Sequence, residues 1–209
     1  MILEGKGLKT LPSEIYKFKN LKSLDISHNH ILTISDSLFS HCFKLEELRY
    51  AGNQLQTLPK SIYKANLKVL DLSENNLTSI SDSIRFCTSL EELDLHANDV
   101  SMLPSEKVIL KKLKSLILSE NSIQQKSIWV FLQPSLKILF LDETQLSILD
   151  NALCKSVNLK FLNIEASQVK ILPSCMCNLK QLKVIQCGNQ MPKEEIDKLV
   201  KCLPNLKVR

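Results

Sequence analysis

The amino-acid sequence predicts an α/β solenoid, in which each repeat adds one short strand to a parallel sheet and one short helix or turn to the opposite side. Three observations predict this fold. Eight segments share an alternating leucine pattern, their first residues lie 22 to 24 residues apart, and turn-forming residues follow the strand pattern. A constant period of about 20 to 50 residues is typical of repeat architectures, in which each unit buries its apolar side against its neighbours.

The strand is the first element of each repeat. The segment LKSLDISHNHI begins at Leu21, and similar segments begin at Leu45, Leu67, Leu90, Leu113, Leu136, Leu159 and Leu182. Successive side chains of a strand point to opposite faces, so the fourth and sixth residues of each segment face the core. The third and fifth residues then face the concave side of the sheet.

A turn follows the strand, and the ninth residue of the segment is an asparagine in the first five repeats. These residues are Asn29, Asn53, Asn75, Asn98 and Asn121. A side-chain amide there can satisfy backbone groups that the turn leaves unpaired. Thr144, Ser167 and Gln190 take this position in the later repeats, so we expect a weaker polar ladder toward the C-terminus.

The second half of each repeat brings the chain back over the convex side. Leu-Pro pairs occur in this part of the repeat at residues 11–12, 58–59, 103–104 and 172–173. In Ile34–Leu38 and Ile80–Ile84, a serine or aspartate stands where a short helix needs an N-cap. The sequence therefore predicts one strand and one short helix or turn per repeat.

These repeats resemble the leucine-rich repeat family, in the 23-residue form LxxLxLxxNxLxxLPxxI, over essentially the whole chain. The resemblance implies a right-handed solenoid with the parallel sheet on its concave face, short helices or turns on its convex face, and a C-terminal capping helix. We interpret residues 1–209 as a single domain. Residues 1–20 form a partial repeat or cap, residues 21–191 eight repeats, and residues 192–209 a cap made of a helix and an edge strand.

The composition limits the class of protein. Apolar residues make up 44% of the chain, which predicts a folded core rather than a disordered chain. Glu4 and Lys6 interrupt the apolar stretch that a signal peptide needs. The seven cysteines lack the spacing of a disulfide framework, which favours free thiols in a reducing compartment. We expect a cytoplasmic protein, and non-classical export to a host cell stays open.

The sequence offers no arrangement of residues for catalysis, for a cofactor or for a metal. Four glycines are too few to add a phosphate-binding loop to this scaffold. Cys175 and Cys177 make one loose pair, whereas structural zinc sites usually have two knuckles. We interpret His28, His30 and His96 as surface residues. The expectation is a protein with no catalytic residue, no cofactor and no metal site.

Charge is distributed unevenly over the predicted faces. The net charge is +5, yet the third, fifth, seventh, eighth and tenth positions of the repeats, which face the concave side or its rim, hold eleven carboxylates and one cation, Arg49. Lysines between Lys22 and Lys183 form a row along one flank. An acidic concave face repels phosphate backbones and favours a basic protein partner over nucleic acid. The candidate partner-binding residues of this acidic region are Asp25, Glu47, Arg49, Asp71, Glu92, Asp94 and Glu165.

A second candidate surface is apolar and lies nearer the C-terminus. The third and fifth positions of four consecutive repeats hold Ile117, Ile138, Phe140, Phe161 and Val184. Adjacent strands are about 4.8 Å apart, so these side chains are expected to form one patch. Contiguous exposed apolar patches usually mark interaction sites.

The sequence thus predicts a non-catalytic protein–protein interaction module that binds a partner on its concave face. A signalling scaffold or a regulatory subunit would fit this description. We expect a partner with a basic and an apolar segment, no nucleic acid, no membrane, and a monomer or weak homodimer. Two alternatives stay open: a microbial protein delivered into a host cell to bind a host protein, and a self-assembling structural repeat protein.

Overall fold

A parallel sheet is the central feature of the computed structural model, which describes residues 1–123 and 128–209, without the side chain of Trp129. Within those residues, nine strands form one sheet in chain order, so each repeat adds its strand next to the preceding one. The strands are Ser23–Asp25 (β1), Glu47–Arg49 (β2), Val69–Asp71 (β3), Glu92–Asp94 (β4), Ser115–Ile117 (β5), Ile138–Phe140 (β6), Phe161–Asn163 (β7), Val184–Gln186 (β8) and Lys207–Val208 (β9). The predicted α/β solenoid with a parallel sheet is confirmed.

Short helices lie on the side opposite the strands. The α-helices are Asp36–His41 (α1) and Lys193–Cys202 (α2), and the 3-10 helices are Ser13–Lys17, Lys60–Lys64, Asp82–Phe86, Ile128–Phe131, Asn151–Lys155 and Ser174–Asn178. The predicted N-caps are present, since the side chains of Ser35 and Ser81 accept hydrogen bonds from the backbone N–H groups of Ser37 and Ser83. The segment after Ser81 forms a 3-10 helix rather than an α-helix.

The core runs the length of the sheet. The central residue of each strand from β1 to β8 is leucine or isoleucine and is at most 1% exposed. The register pairs Leu24 with Leu48, Leu48 with Leu70, and so on to Leu162 with Ile185. Buried leucines of one repeat therefore stack directly on those of the next, which is how each repeat completes its neighbour's core.

Each turn after a strand contains one residue in the left-handed region, with φ between 50° and 62° in the first seven repeats. This residue directly precedes the asparagine position; in chain order it is His28, Gly52, Glu74, Ala97, Glu120, Glu143 and Ala166. Residues other than glycine rarely adopt this backbone conformation. The sharp bend turns the chain away from the sheet and points the next side chain into the core.

The asparagine that follows the bend connects neighbouring repeats. Nδ2 of Asn98 donates to the carbonyl oxygens of Leu72, Leu95 and His96 at 2.9, 3.1 and 3.2 Å, and its Oδ1 accepts from the N–H of Leu77 at 2.9 Å. Bonds to the preceding repeat are also made by Asn53, Asn75 and Asn121. This ladder satisfies buried backbone groups of two repeats at once.

The ladder changes after Asn121. The Oγ1 of Thr144 donates to the carbonyl of Leu141 at 2.6 Å, and the Oγ of Ser167 donates to the carbonyl of Ile164 at 2.6 Å. Each of these hydroxyl groups therefore donates within its own repeat. The predicted weakening toward the C-terminus is confirmed.

The cysteines correct one expectation from the sequence. Disulfides join Cys154 to Cys175 and Cys177 to Cys202, so the prediction that all seven cysteines are free thiols is wrong for these four. The three remaining cysteines, Cys42, Cys87 and Cys187, are free and buried in the core. The bonded cysteines lie in convex helices of successive repeats. Because successive repeats stack, these helices are neighbours and their cysteines can pair.

Helix α2 follows β8 and packs against the 3-10 helix Ser174–Asn178 of the preceding repeat. Leu199 and Leu203 are buried there, and Ile196 and Val200 are half-buried. The carboxylate of Glu195 accepts a hydrogen bond from the N–H of Leu172 at 2.9 Å. Strand β9 then pairs with β8.

Candidate partner-binding face

The concave face is defined by two ladders of side chains. The first residues of strands β1 to β8 form ladder A, which is Ser23, Glu47, Val69, Glu92, Ser115, Ile138, Phe161 and Val184. The third residues form ladder B, which is Asp25, Arg49, Asp71, Asp94, Ile117, Phe140, Asn163 and Gln186. Eleven of the twelve predicted partner-binding residues lie in these ladders. The twelfth, Glu165, is an exposed turn residue two positions after β7.

The acidic region of the concave face includes the cation Arg49. In ladder B, Arg49 stands between Asp25 and Asp71. Its guanidinium lies 3.2 Å from the carboxylate of Glu47, and both side chains are 42% exposed. This pair between ladders A and B offsets part of the charge at β2, and the unpaired negative charge is concentrated at β3 and β4.

A depression of about 110 Å³ lies at this point of the face. It is lined by residues of β2 to β5, among them Asp71, Glu92, Asp94, Ser115 and Ile117. Asp71 and Asp94 are direct neighbours in ladder B. Asp71 accepts hydrogen bonds from the N–H and the hydroxyl of Ser73, so its carboxylate is held in place.

The carboxyl group of Asp94 has an unusually high pKa. Burial raises the pKa of Asp94 from 3.8 to about 6. The N–H of His96, which donates to Oδ1 at 2.9 Å, opposes this rise, and the negative charge of Asp71 adds to it. The pair Asp71–Asp94 therefore carries its full negative charge only above about pH 6.

The predicted apolar residues come together as one surface, which we call the apolar patch: Ile117, Ile138, Phe140, Phe161 and Val184. The rings of Phe140 and Phe161 are 4.8 Å apart between centroids and inclined by 32°. Ile138 is 38% exposed, and the other four side chains are half-buried. In ladder B, Ile117 pairs with Asp94 on one side and Phe140 on the other, so the patch is continuous with the acidic pair.

Two polar residues of ladder B were missing from the sequence prediction. Asn163 and Gln186 follow Phe140 and form the polar edge of the apolar patch. Asn163 is 7% exposed, and its Oδ1 accepts from the N–H of Glu165 at 3.0 Å, as Asp94 does with His96. Their strand position was the available signal, but the prediction selected charged and apolar side chains only.

Two sequence models of the leucine-rich repeat family match this chain, one at residues 44–100 and the other at residues 20–42. The matches cover strands β1 to β4, and the same strand, bend and return continue through the later repeats. The chain contains leucine-rich repeats. The resemblance found in its sequence is thereby confirmed.

Known leucine-rich-repeat proteins match parts of the chain. Human leucine-rich repeat-containing protein 66 is 39% identical over 64 residues, which are 31% of this chain and 7% of that protein. A leucine-rich-repeat protein of Leptospira interrogans has a TM-score of 0.75 at 24% identity, covering 100% of this chain and 59% of that one. A chain of the Toll–Spatzle complex of Drosophila has a TM-score of 0.76 at 20% identity, covering 87% of this chain and 27% of that one. These structures share its fold.

The lysine row lies at the residue preceding β1, β3 and β5 to β8, whereas a glutamate precedes β2 and β4. Lys68 pairs with Glu46 at 2.7 Å, and Lys114 pairs with Glu91. Hydrogen bonding to these lysines lowers the pKa of both glutamates. Part of the positive charge of the flank is therefore neutralised locally.

Two histidines outside the ladders lie close to a glutamate each. His96 lies 3.7 Å from Glu120, and His28 lies 4.0 Å from Glu4. No group of three or more His, Cys, Asp or Glu side chains among residues 1–123 and 128–209 is placed to hold a metal ion. In that same part of the chain, no helix is both long and apolar enough to cross a membrane.

Proposed function

We propose that this protein is a non-catalytic interaction module whose concave face binds another protein. The observation that carries the proposal is the continuity of the apolar patch with the Asp71–Asp94 pair along ladder B. Two surfaces of different chemistry thus lie side by side on one sheet. A partner that presents a basic side chain next to a bulky apolar one would contact both.

The apolar patch supplies the adhesive part of this face. Phe140 and Phe161 are half-buried and in ring contact, so their orientation is set before a partner arrives. Preorganised aromatic side chains lose little conformational entropy on binding, and such residues are often hot spots. We therefore assign most of the binding energy to these two rings.

The Asp71–Asp94 pair would favour cationic partners and increase their rate of association. Asp71 and Asp94 are one strand apart, and Ile117 is one strand further, so about 5 to 10 Å separates the carboxylates from the nearest apolar side chains. Carboxylates at the edge of an interface attract cationic partners over a distance set by the ionic strength. We infer a partner with a lysine or arginine within that distance of an apolar anchor.

Selection from a random-peptide library tests the proposal without a known partner. We expect enriched peptides to combine a bulky apolar residue with a lysine or arginine, and to lose binding to Phe140→Ala and Phe161→Ala. Phe43→Ala is the matched control, because Phe43 is 59% exposed and lies outside both ladders. Peptides that lose binding to Phe43→Ala and keep it with both concave variants would contradict the proposal.

Self-association is the second function that the same patch favours, since two copies could cover it mutually. Light scattering after size exclusion separates the two functions. A concentration-dependent dimer that Phe140→Asp converts to monomer supports self-assembly through the apolar patch. A protein that stays monomeric at all concentrations supports a different partner.

A further inference from the structure

The last repeats differ from the first in how neighbouring repeats are joined. Up to Asn121, one buried amide per repeat donates across to the preceding repeat. At Thr144 and Ser167, the hydroxyl donates within its own repeat instead. In the eighth repeat, the left-handed residue is Gly188 and the asparagine after it, Asn189, is exposed, whereas Gln190 has a buried Nε2 without a hydrogen-bond partner among the described residues. The polar connection between repeats is thus reduced from the sixth repeat onward.

Both disulfides lie in this same part of the chain. Cys154 belongs to the 3-10 helix Asn151–Lys155, and Cys175 and Cys177 belong to the 3-10 helix Ser174–Asn178. Cys202 is the last residue of α2. The two bonds therefore link three successive convex segments, with the fully buried Met176 between the two cysteines of the middle segment.

We propose that these two disulfides form a redox-controlled staple that replaces the missing asparagine ladder and holds the last repeats and α2 together. A dithiol reductant would open it. The thiolate of the reductant attacks one sulfur, and its second thiol then releases the mixed disulfide. Each protein disulfide takes up two electrons and two protons and becomes two cysteine thiols, while the reductant becomes a disulfide.

Access and chain geometry support this role. Cys177 lines an open groove of about 560 Å³ between the Leu172–Pro173 segment and α2, and all four bonded cysteines are only half-buried. The bonded cysteines are 21 residues apart in one disulfide and 25 residues apart in the other. Cross-links of this kind stabilise the folded state by restricting the unfolded chain. Without them, α2 is held mainly by Leu199, Leu203 and the Glu195–Leu172 hydrogen bond.

The three other cysteines are poor participants in disulfide exchange. Cys42, Cys87 and Cys187 are buried, and burial raises the pKa of each thiol, to about 12 for Cys87. A buried, protonated thiol is a weak nucleophile. Reduction and reoxidation of the staple should therefore leave these thiols unchanged.

Hydrogen exchange of the full chain, with and without dithiothreitol, tests the proposal. We expect amides of residues 184–209 to exchange at least tenfold faster after reduction, while amides of β1 to β4 keep their rates. The variant lacking all four bonded cysteines, each replaced by alanine, should exchange rapidly with or without dithiothreitol. Equal exchange at residues 184–209 before and after reduction would overturn the proposal, as would seven alkylatable thiols in unreduced, denatured protein.

Restoring the ladder tests the compensation itself. In Thr144→Asn combined with Ser167→Asn, the new amides can donate to the preceding repeat, as Asn121 does to the carbonyl of Leu95. We expect reduction to accelerate exchange less than threefold in this variant. A tenfold acceleration that persists would contradict a compensating role. The exchange experiment needs no partner, so its result is independent of the proposed binding function.

Discussion

At the residue scale, one side chain accounts for much of the regularity of this solenoid. Asn98, for example, makes four hydrogen bonds from its turn, and its Nδ2 and Oδ1 serve backbone groups of two repeats. The bend before it places a residue in the left-handed region, which is unfavourable for most side chains. The amide helps to offset this cost, and without it the buried N–H of Leu77 would lack a partner.

The asparagine ladder leads to a stability prediction. Asn98→Ala should lower the free energy of unfolding by about 3 kcal/mol, because it leaves the buried N–H of Leu77 unpaired and removes the three hydrogen bonds that Nδ2 of Asn98 donates. Ser167→Ala is the matched comparison and should cost about 1 kcal/mol, since that hydroxyl donates a single bond within its own repeat. Urea denaturation of both variants measures the difference. Equal losses would mean that the cross-repeat bonds contribute little.

Asp94 leads to a pH prediction. Burial raises the pKa of this carboxyl to about 6 in the folded protein, so folding takes up a proton there between about pH 4 and 6. The contribution of Asp94 to stability therefore falls as the pH rises through this range, and the cost is fully present at pH 7. Asp94→Asn keeps an acceptor for the N–H of His96 and should raise Tm at pH 7.5 more than at pH 5.

Glu92→Gln is the control for this measurement, because Glu92 lies on the same strand and is exposed. It should change Tm little at either pH. If Asp94→Asn shifts Tm equally at pH 5 and pH 7.5, the carboxyl does not change protonation in this range.

At the element scale, the strands could be predicted more completely than the convex side. The two-residue alternation fixed which side chains of β1 to β8 face the core, and the register follows it residue by residue. The convex segments have shorter and weaker patterns, so the sequence did not distinguish an α-helix at Asp36–His41 from a 3-10 helix at Asp82–Phe86.

The disulfides were missed although the sequence contains a signal for them. Cys154 and Cys175 are 21 residues apart, and Cys177 and Cys202 are 25 residues apart, both close to one repeat. In a solenoid, residues one period apart lie side by side, so these pairs are neighbours. The prediction compared the cysteines with the spacing of small disulfide-rich domains, which does not apply to a stacked repeat.

Helix α2 leads to a prediction at this scale. Leu199 is 4% exposed in the core, so Leu199→Ala should lower the free energy of unfolding by about 3 kcal/mol. Asp197→Ala is the control, because Asp197 is exposed on the same helix. Chemical denaturation measures both variants. A loss below about 1 kcal/mol for Leu199→Ala would mean that α2 contributes little to the core.

At the scale of the whole molecule, the sheet separates the charges of a chain that is basic on average. Carboxylates and apolar side chains occupy the two ladders, whereas lysines lie on the flank, where Glu46 and Glu91 pair with Lys68 and Lys114. The net charge of +5 alone suggests an anionic partner. The carboxylates on the concave face indicate a cationic partner instead. The placement of the candidate face was predictable from the repeat, but the identity of its partner depends on side-chain shape that a periodic pattern does not encode.

The binding kinetics of one selected peptide or protein partner test whether the concave face holds the binding site. On an immobilised chain, Phe140→Ala should weaken binding by about 2 kcal/mol, roughly 30-fold, mainly through faster dissociation. Asp71→Lys with Asp94→Lys should slow association and reduce its dependence on salt. Lys160→Glu on the flank should change neither rate by more than about twofold. Loss of binding in Lys160→Glu, with unchanged rates in the concave variants, would contradict the account.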